Sequence, residues 1–221
     1  MILSKSNLLI DARELGYNWV ASMSNLSPAQ HWETAYQNYQ TPWDLGGPTP
    51  VFRRIAASGQ YPPGRMIVPG AGKGHDARLF AQHGFRVTAL DFATGAIQEM
   101  HRLADPAAPV DILQADFFAL PSSLQGTFDY LLEYVTYCAI DPARHTEYAD
   151  VVQWLLKPGG MFLGLIFPIG NHEGGPPFAV SPNQLIEDLT SRGFRLLHRE
   201  FPADSIRPRK GREEWVALAK E

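Results

Sequence analysis

From residue 64 to its end the chain alternates short apolar runs with amphipathic ones, and this alternation restricts the fold more than any other feature. GRMIVPGAG predicts a strand ending in a glycine turn, GHDARLFAQHG a helix closed by Gly84, FRVTALD a second strand and ATGAIQEMHRLA a second helix. VDILQAD and FDYLLEYV supply strands three and four, HTEYADVVQWL a helix, LKPGG a turn, and MFLGLIFP a fifth strand. SPNQLIEDLTSRGF predicts a helix with Ser181 at the N-cap, Pro182 at N1 and Gly193 past its end. Strands separated by helices imply βαβ crossovers, hence a mostly parallel sheet with helices on both faces. FRLLHREF and EEWVALAK have no helix between them and predict a C-terminal antiparallel hairpin, which brings the sheet to seven strands.

Upstream, SPAQHWETAYQNYQTPWDLGGPTP predicts a helix capped by Ser27, with Trp32, Ala35, Tyr36 and Tyr39 on one face and Pro42 as its stop. Gly46, Gly47, Pro48 and Pro50 predict an ordered loop. Residues 1–26 have mixed polarity and only a weak helical pattern, so they are set apart as an extension to a single domain over 27–221.

Composition narrows the function. With 45% hydrophobic and 19% charged residues the chain can bury a core. A net charge of -4 gives no electrostatic case for nucleic acid or an anionic membrane as partner. The longest apolar run, MFLGLIFPIG, is half a bilayer span, and the N-terminus is too quickly charged for a signal peptide. One cysteine, Cys138, excludes an intrachain disulfide and a cysteine-based zinc site, so no metal is expected and a reducing, cytoplasmic setting fits. The oligomeric state is open, and a monomer is compatible with the sequence.

In a doubly wound sheet the ligand lies beyond the carboxyl ends of the strands, where strand order reverses. The first strand ends in Gly70-Ala71-Gly72-Lys73-Gly74-His75-Asp76. Gly70 and Gly72 permit close backbone approach, and the following helix start offers unpaired N–H groups to an anion. The dinucleotide pattern G-x-G-x-x-G has His75 where its last glycine would stand, so the loop suits an amino-acid-bearing nucleoside better than a pyrophosphate. Asp91, ending the second strand, can accept both hydroxyls of a ribose. Asp116, ending the third, can meet an adenine edge, with Phe117 against the ring. Glu133 is placed either to meet an amino group of the ligand or to cap a turn.

HWETAYQNYQTPWDLGGPTP, VPGAGKGHD, EYVTYCAIDP, LKPGG, FPIGNHEGGPPF and IRPRKGREE occur in the order seen in the thiopurine S-methyltransferase superfamily, and the chain most resembles its plant-type thiol and halide methyltransferases over residues 30 to 215. The resemblance implies a Rossmann-like class I methyltransferase that uses S-adenosyl-L-methionine. It places Trp32, Trp43, Gly70, Asp91, Asp116, Phe117 and Tyr134 around that cofactor. Three departures stand out: Tyr36 and Ala71 replace a tryptophan and a cysteine usual in the plant members, and Phe167 replaces a tyrosine near the expected methyl acceptor.

Methyl transfer from a sulfonium to an anion removes charge in the transition state, so a dry, aromatic pocket favours it. Trp32, Tyr36, Trp43, Tyr134 and Tyr137 can form such a pocket. An acceptor thiol is only a few per cent ionised near neutral pH. His172, in the loop after the fifth strand, and the basic run of Arg207, Arg209, Lys210 and Arg212 are candidates to favour its thiolate. The expected catalytic set is therefore His172, Tyr137, Phe167 and Arg207, acting on a small thiol, hydrosulfide, thiocyanate or halide. The alternatives are a non-catalytic module that binds the same cofactor and a nicotinamide-dependent oxidoreductase.

Overall fold

The computed structural model describes residues 28–221; the proposed extension 1–26 and the Ser27 cap lie outside the described residues. Six α-helices are described: α1 (Pro28–Gln37), α2 (Pro50–Ala57), α3 (His75–Gln82), α4 (Thr94–Arg102), α5 (His145–Leu155) and α6 (Pro182–Thr190). Seven strands, β1 (Arg65–Val68), β2 (Arg86–Asp91), β3 (Asp111–Gln114), β4 (Phe128–Tyr134), β5 (Leu156–Ile166), β6 (Phe194–Glu200) and β7 (Glu214–Lys220), form one sheet in the order β3-β2-β1-β4-β5-β7-β6. Pairs from β3 through β5 are parallel, while β7 runs antiparallel to both β5 and β6. The C-terminal hairpin therefore folds back so that its second strand, β7, inserts between β5 and β6.

Side chains alternate across the strands and build two cores. Ile67, Leu131, Phe162 and Val216 pack on one face with Tyr148 and Val152 of α5 and Leu185 and Leu189 of α6. Their neighbours Met66, Leu132, Leu163 and Trp215 pack on the other face with Phe52 of α2, Phe80 of α3 and Met100 of α4. β1 pairs with β2 on one side and β4 on the other, so strand order reverses between β1 and β4, and the loops after β1, β2, β3 and β4 share one edge.

Three local expectations need correction. VFRRIAA forms α2, whose Val51, Phe52 and Ile55 are buried; Pro50 begins this helix instead of extending a loop. LKPGG does not leave the sheet: Leu156 already pairs with Phe128 and β5 continues past an irregularity. Tyr39 lies beyond α1 at φ 55 and is 93% exposed, so it does not share the buried helix face. Ser181 Oγ accepts the Gln184 N–H at 3.3 Å as the cap of α6.

Candidate active site

The loop after β1 turns through three glycines at positive φ, Gly70 (52°), Gly72 (56°) and Gly74 (69°). An L side chain is disfavoured in that region. At Gly70 a Cβ would also lie 2.4 Å from Thr136 Oγ1, which donates to Pro69 O and joins the loop to the end of β4. At Gly72 a Cβ would stand 3.2 Å from Tyr36 Oη and 4.0 Å from Trp43 Nε1, filling the space between the loop and an aromatic roof.

That roof comes from α1 and the segment after it. Trp43 packs edge-on to Trp32 (4.9 Å between centroids) and Tyr36 (5.8 Å). Gly95 lets α1 approach α4, since a Cβ there would be 2.4 Å from Tyr36 Cβ. Glu33 accepts the Thr94 N–H at 2.8 Å, giving α4 from another helix the N-terminal partner its own cap residue Ala93 cannot offer.

Between roof and floor is an open cavity of about 980 Å³, mouth included. Trp32, Trp43, Gly70, Gly72, Asp91, Asp116 and Phe117 all line it, and so do Tyr36, Cys138, Phe167 and Pro177. A second cavity of about 580 Å³ shares Trp43, Gly70 and Gly72 with the first and includes Tyr134, Asp44, Lys73 and Asp76.

Asp91 is buried and accepts the Gly72 N–H at 2.9 Å and the Ala93 N–H at 3.0 Å, so it braces the glycine loop while lining the cavity. Burial pushes its carboxyl up to about 6 despite these backbone donors. Asp116 is exposed on the cavity wall, with one oxygen accepting the Phe118 N–H at 2.9 Å. Phe117 is buried and stacks on Tyr148.

Of the two placements expected for Glu133, the structure shows the turn cap and not the ligand contact. Its carboxylate accepts the Thr136 and Tyr137 N–H groups and the Tyr148 hydroxyl at 2.7–2.9 Å, wholly buried and outside both cavity walls. It is the turn cap, and it fixes the left-handed Val135 (φ 57) that follows β4.

The expected catalytic set separates. Phe167 is on the cavity wall. Tyr137 is not: it is buried, 3.9 Å from the His145 ring in a stack. His172 does not line the cavity either; its Nε2 lies 2.8 Å from the carbonyl oxygen of Pro177, a lining residue, so the histidine braces the loop that carries Pro177. Arg207 is exposed, whereas Arg209, two residues on, is the buried cation. Its guanidinium sits 4.7 Å from the Phe167 ring centre and 5.1 Å from that of Tyr134, donates to the Tyr134 hydroxyl, and reaches Trp43 O at 3.2 Å. Tyr134 in turn donates to Glu213 at 3.0 Å. Spacing could not distinguish Arg209 from its neighbours, because four cations in six residues look alike until the turn is folded.

A strand-order reversal lined by a glycine loop, Asp91 and Asp116 defines the site of a Rossmann-like, class I S-adenosylmethionine-dependent methyltransferase. Solved structures share the fold: a Burkholderia thailandensis 1,6-didemethyltoxoflavin-N1-methyltransferase with bound S-adenosylhomocysteine has a TM-score of 0.64 at 20% identity, covering 87% of this chain and 86% of that one. A structure described under conversion of a disulfide bond into a thioacetal group during echinomycin biosynthesis has a TM-score of 0.71 at 18% identity, covering 88% and 94%.

The sequence profile of the thiopurine S-methyltransferase family matches residues 27–220, and the chain belongs to that family. It is 34% identical over 186 residues to a probable thiol methyltransferase 2 of Arabidopsis thaliana (83% of this chain, 81% of the relative). It is 35% identical over 187 residues to a thiocyanate methyltransferase 1 of Brassica oleracea, with the same coverage. The chain is thus an enzyme that uses S-adenosylmethionine, and neither the non-catalytic module nor the nicotinamide oxidoreductase is favoured. The residues present fit the cofactor: the space over Gly72 would be filled by any side chain, Asp91 retains lone pairs toward the cavity, and aromatic rings wall it. Among the described residues no helix is long and apolar enough to cross a membrane, and no cluster of three metal-ligating side chains occurs.

Proposed function

We propose that the enzyme methylates a small, soft anion, with a thiolate preferred over hydrosulfide, thiocyanate or halide. The observation that carries this reading is the apolar stretch of cavity wall formed by Cys138, Ile140, Phe167 and Pro177, with the buried guanidinium of Arg209, itself outside the lining, 4.7 Å from the Phe167 ring centre. Bound S-adenosylmethionine supplies an electrophilic methyl group on a cationic sulfur. In this reading Asp91 accepts from its ribose, Asp116 and Phe117 meet its base, and Trp32, Tyr36 and Trp43 exclude water above it.

Arg209 then favours the ionised form of the acceptor across the Phe167 ring, by its charge and without contact, which lowers the pKa of a thiol held on that wall. The apolar wall withholds hydration from that anion, so the charge lost in the transition state costs less solvation than it would in water. No side chain need remove a proton within the cavity. Cys138 is no competitor as nucleophile, because burial holds its thiol well above the ordinary range. The names of the plant relatives, a thiol and a thiocyanate methyltransferase, support the same acceptor class. A single domain over 27–221 and a cytoplasmic setting, in keeping with the lone buried Cys138, complete the proposal.

Purified protein with methyl-labelled cofactor, offered iodide, thiocyanate, hydrosulfide and a panel of organic thiols in parallel, tests it. Labelled thioether formed fastest from organic thiols is the expected result. Methylation only of neutral oxygen or nitrogen acceptors would overturn the reading.

A further inference from the structure

Roof and floor of the cofactor cavity belong to separate stretches of chain, and a charged cluster not needed for methyl transfer joins them. Asp44 follows the roof residue Trp43. Its carboxylate lies 2.7 Å from Lys73 Nζ in the glycine loop and 3.3 Å from His75 Nε2 at the start of α3. It also accepts the Gly46 N–H at 2.9 Å, closing its own turn. On the floor side, Arg78 Nη1 donates to Lys73 O at 2.7 Å, and Nη2 lies 3.0 Å from His75 Nδ1. Both partners of Asp44 are therefore held from behind.

The Asp44 side chain is only 13% exposed, so its ion pairs are screened less than surface pairs. The His75 ring, then the Lys73 ammonium and the Gly46 N–H, hold its carboxyl well below the usual range in spite of burial. At the far end of the same segment, Thr49 donates its N–H (2.7 Å) and hydroxyl (2.9 Å) to Asp76 of α3. The stretch between contains Gly46, Gly47 and Pro48 and has no regular structure. A segment of that kind loses backbone freedom when it closes over a ligand, and any order already present before binding favours affinity.

We infer that Asp44 is a positioning residue: with Lys73 and His75 it forms a clasp that holds Trp43 over the cavity and raises affinity for the cofactor without taking part in methyl transfer. The inference rests on the reading that Trp43 walls the cofactor site.

Calorimetric titration of the full chain with S-adenosylhomocysteine tests both, using Asp44→Asn, Lys73→Met, their double variant and Trp43→Ala. Each clasp variant is expected to weaken binding about 5- to 20-fold, and the double variant no further than the weaker single one, because coupled partners do not add. The cofactor KM should rise in step while kcat at saturation stays within about threefold. Wild-type affinity in Asp44→Asn, or losses that add in the double variant, would overturn the clasp. If Asp44→Asn does not fold, Lys73→Met carries the same comparison. Trp43→Ala separates the two ideas: wild-type binding there overturns the wall and with it the clasp, whereas weakening there with none in the clasp variants overturns the clasp alone.

Discussion

Replacing Asp91 with asparagine should separate what its charge does for the cofactor from what it costs the empty fold. The carboxylate is buried, and its pKa of about 6 is roughly two units above the ordinary 3.8. At about 1.4 kcal/mol per unit, keeping it ionised at neutral pH costs on the order of 3 kcal/mol. Asparagine removes that cost and retains one carbonyl oxygen. It also leaves either the Gly72 or the Ala93 N–H facing an amide NH2, at about 1–3 kcal/mol. The two nearly cancel, so the ligand-free thermal midpoint should move by no more than about 2–4 °C. Binding has no such compensation. Losing an anionic acceptor for ribose hydroxyls should cost about 1.5–3 kcal/mol, a tenfold to 150-fold rise in Kd. Calorimetry with S-adenosylhomocysteine and a thermal melt of the same preparation measure both quantities. An unchanged Kd would refute the ribose assignment, and a fall of more than about 10 °C in the melt would refute the cancellation.

Arg209→Met should lower kcat/KM for anionic acceptors about 5- to 10-fold, the size of a charge acting without contact, and by more than any loss of S-adenosylhomocysteine affinity that follows from its hydrogen bond to Trp43 O; equal loss of both would reassign the guanidinium to the cofactor. Burial raises the pKa values of Asp76 and Asp91 to about 6 and of Glu133 to about 7. Since these folded values exceed the unfolded ones, that stabilisation is complete below about pH 4 and is lost as pH rises through 6 to 7; the melting temperature of ligand-free Glu133→Gln should accordingly fall less than the wild type's between pH 5 and 8. Cofactor binding to ionised Asp91 should release a proton below about pH 6, visible as a buffer-dependent heat, and a heat independent of buffer would count against the contact. His172→Ala should reduce turnover by the same factor at every pH, because the ring braces Pro177 and does not face the cavity; a loss confined to low pH would restore its role as a base.

The sequence carried the fold because its information is local and periodic. Apolar runs of strand length, Gly84 and Gly193 past helix ends, and the glycine turn after β1 each reflect short-range backbone preferences. Asp91 and Asp116 were legible for a related reason: the carboxyl ends of parallel strands converge whatever the rest of the chain does. What local pattern could not give was the partner of each polar group. Glu133 has its strand-end position in common with Asp91, yet Thr136, Tyr137 and Tyr148 consume its carboxylate. Arg207 and Arg209 are equivalent in composition, and only the turn that buries one against Phe167 distinguishes them. Asp44 stands within TPWDLG, but nothing in that run points to its partners, which lie about thirty residues away.

These hidden pairings divide the site by polarity. The glycine-loop end is dense with fixed hydrogen bonds and ion pairs, from Asp91 to Asp76 and Asp44, as suits a ligand with sugar hydroxyls and a charged amino-acid tail. The Phe167 end has carbon and sulfur on its wall, from Cys138, Ile140, Phe167 and Pro177, with the buried Arg209 guanidinium 4.7 Å from the Phe167 ring centre. A cation beyond the Phe167 ring favours a charged acceptor over a neutral one, and a wall of carbon and sulfur favours a weakly hydrated anion over a strongly hydrated one, whose water the wall cannot replace. On that argument the order among the inorganic anions should follow ease of dehydration, with thiocyanate and iodide ahead of chloride, and Phe167→Tyr should narrow the gap by adding one donor at the acceptor wall. Chloride turned over as fast as iodide by the wild-type enzyme would show that hydration does not set the choice.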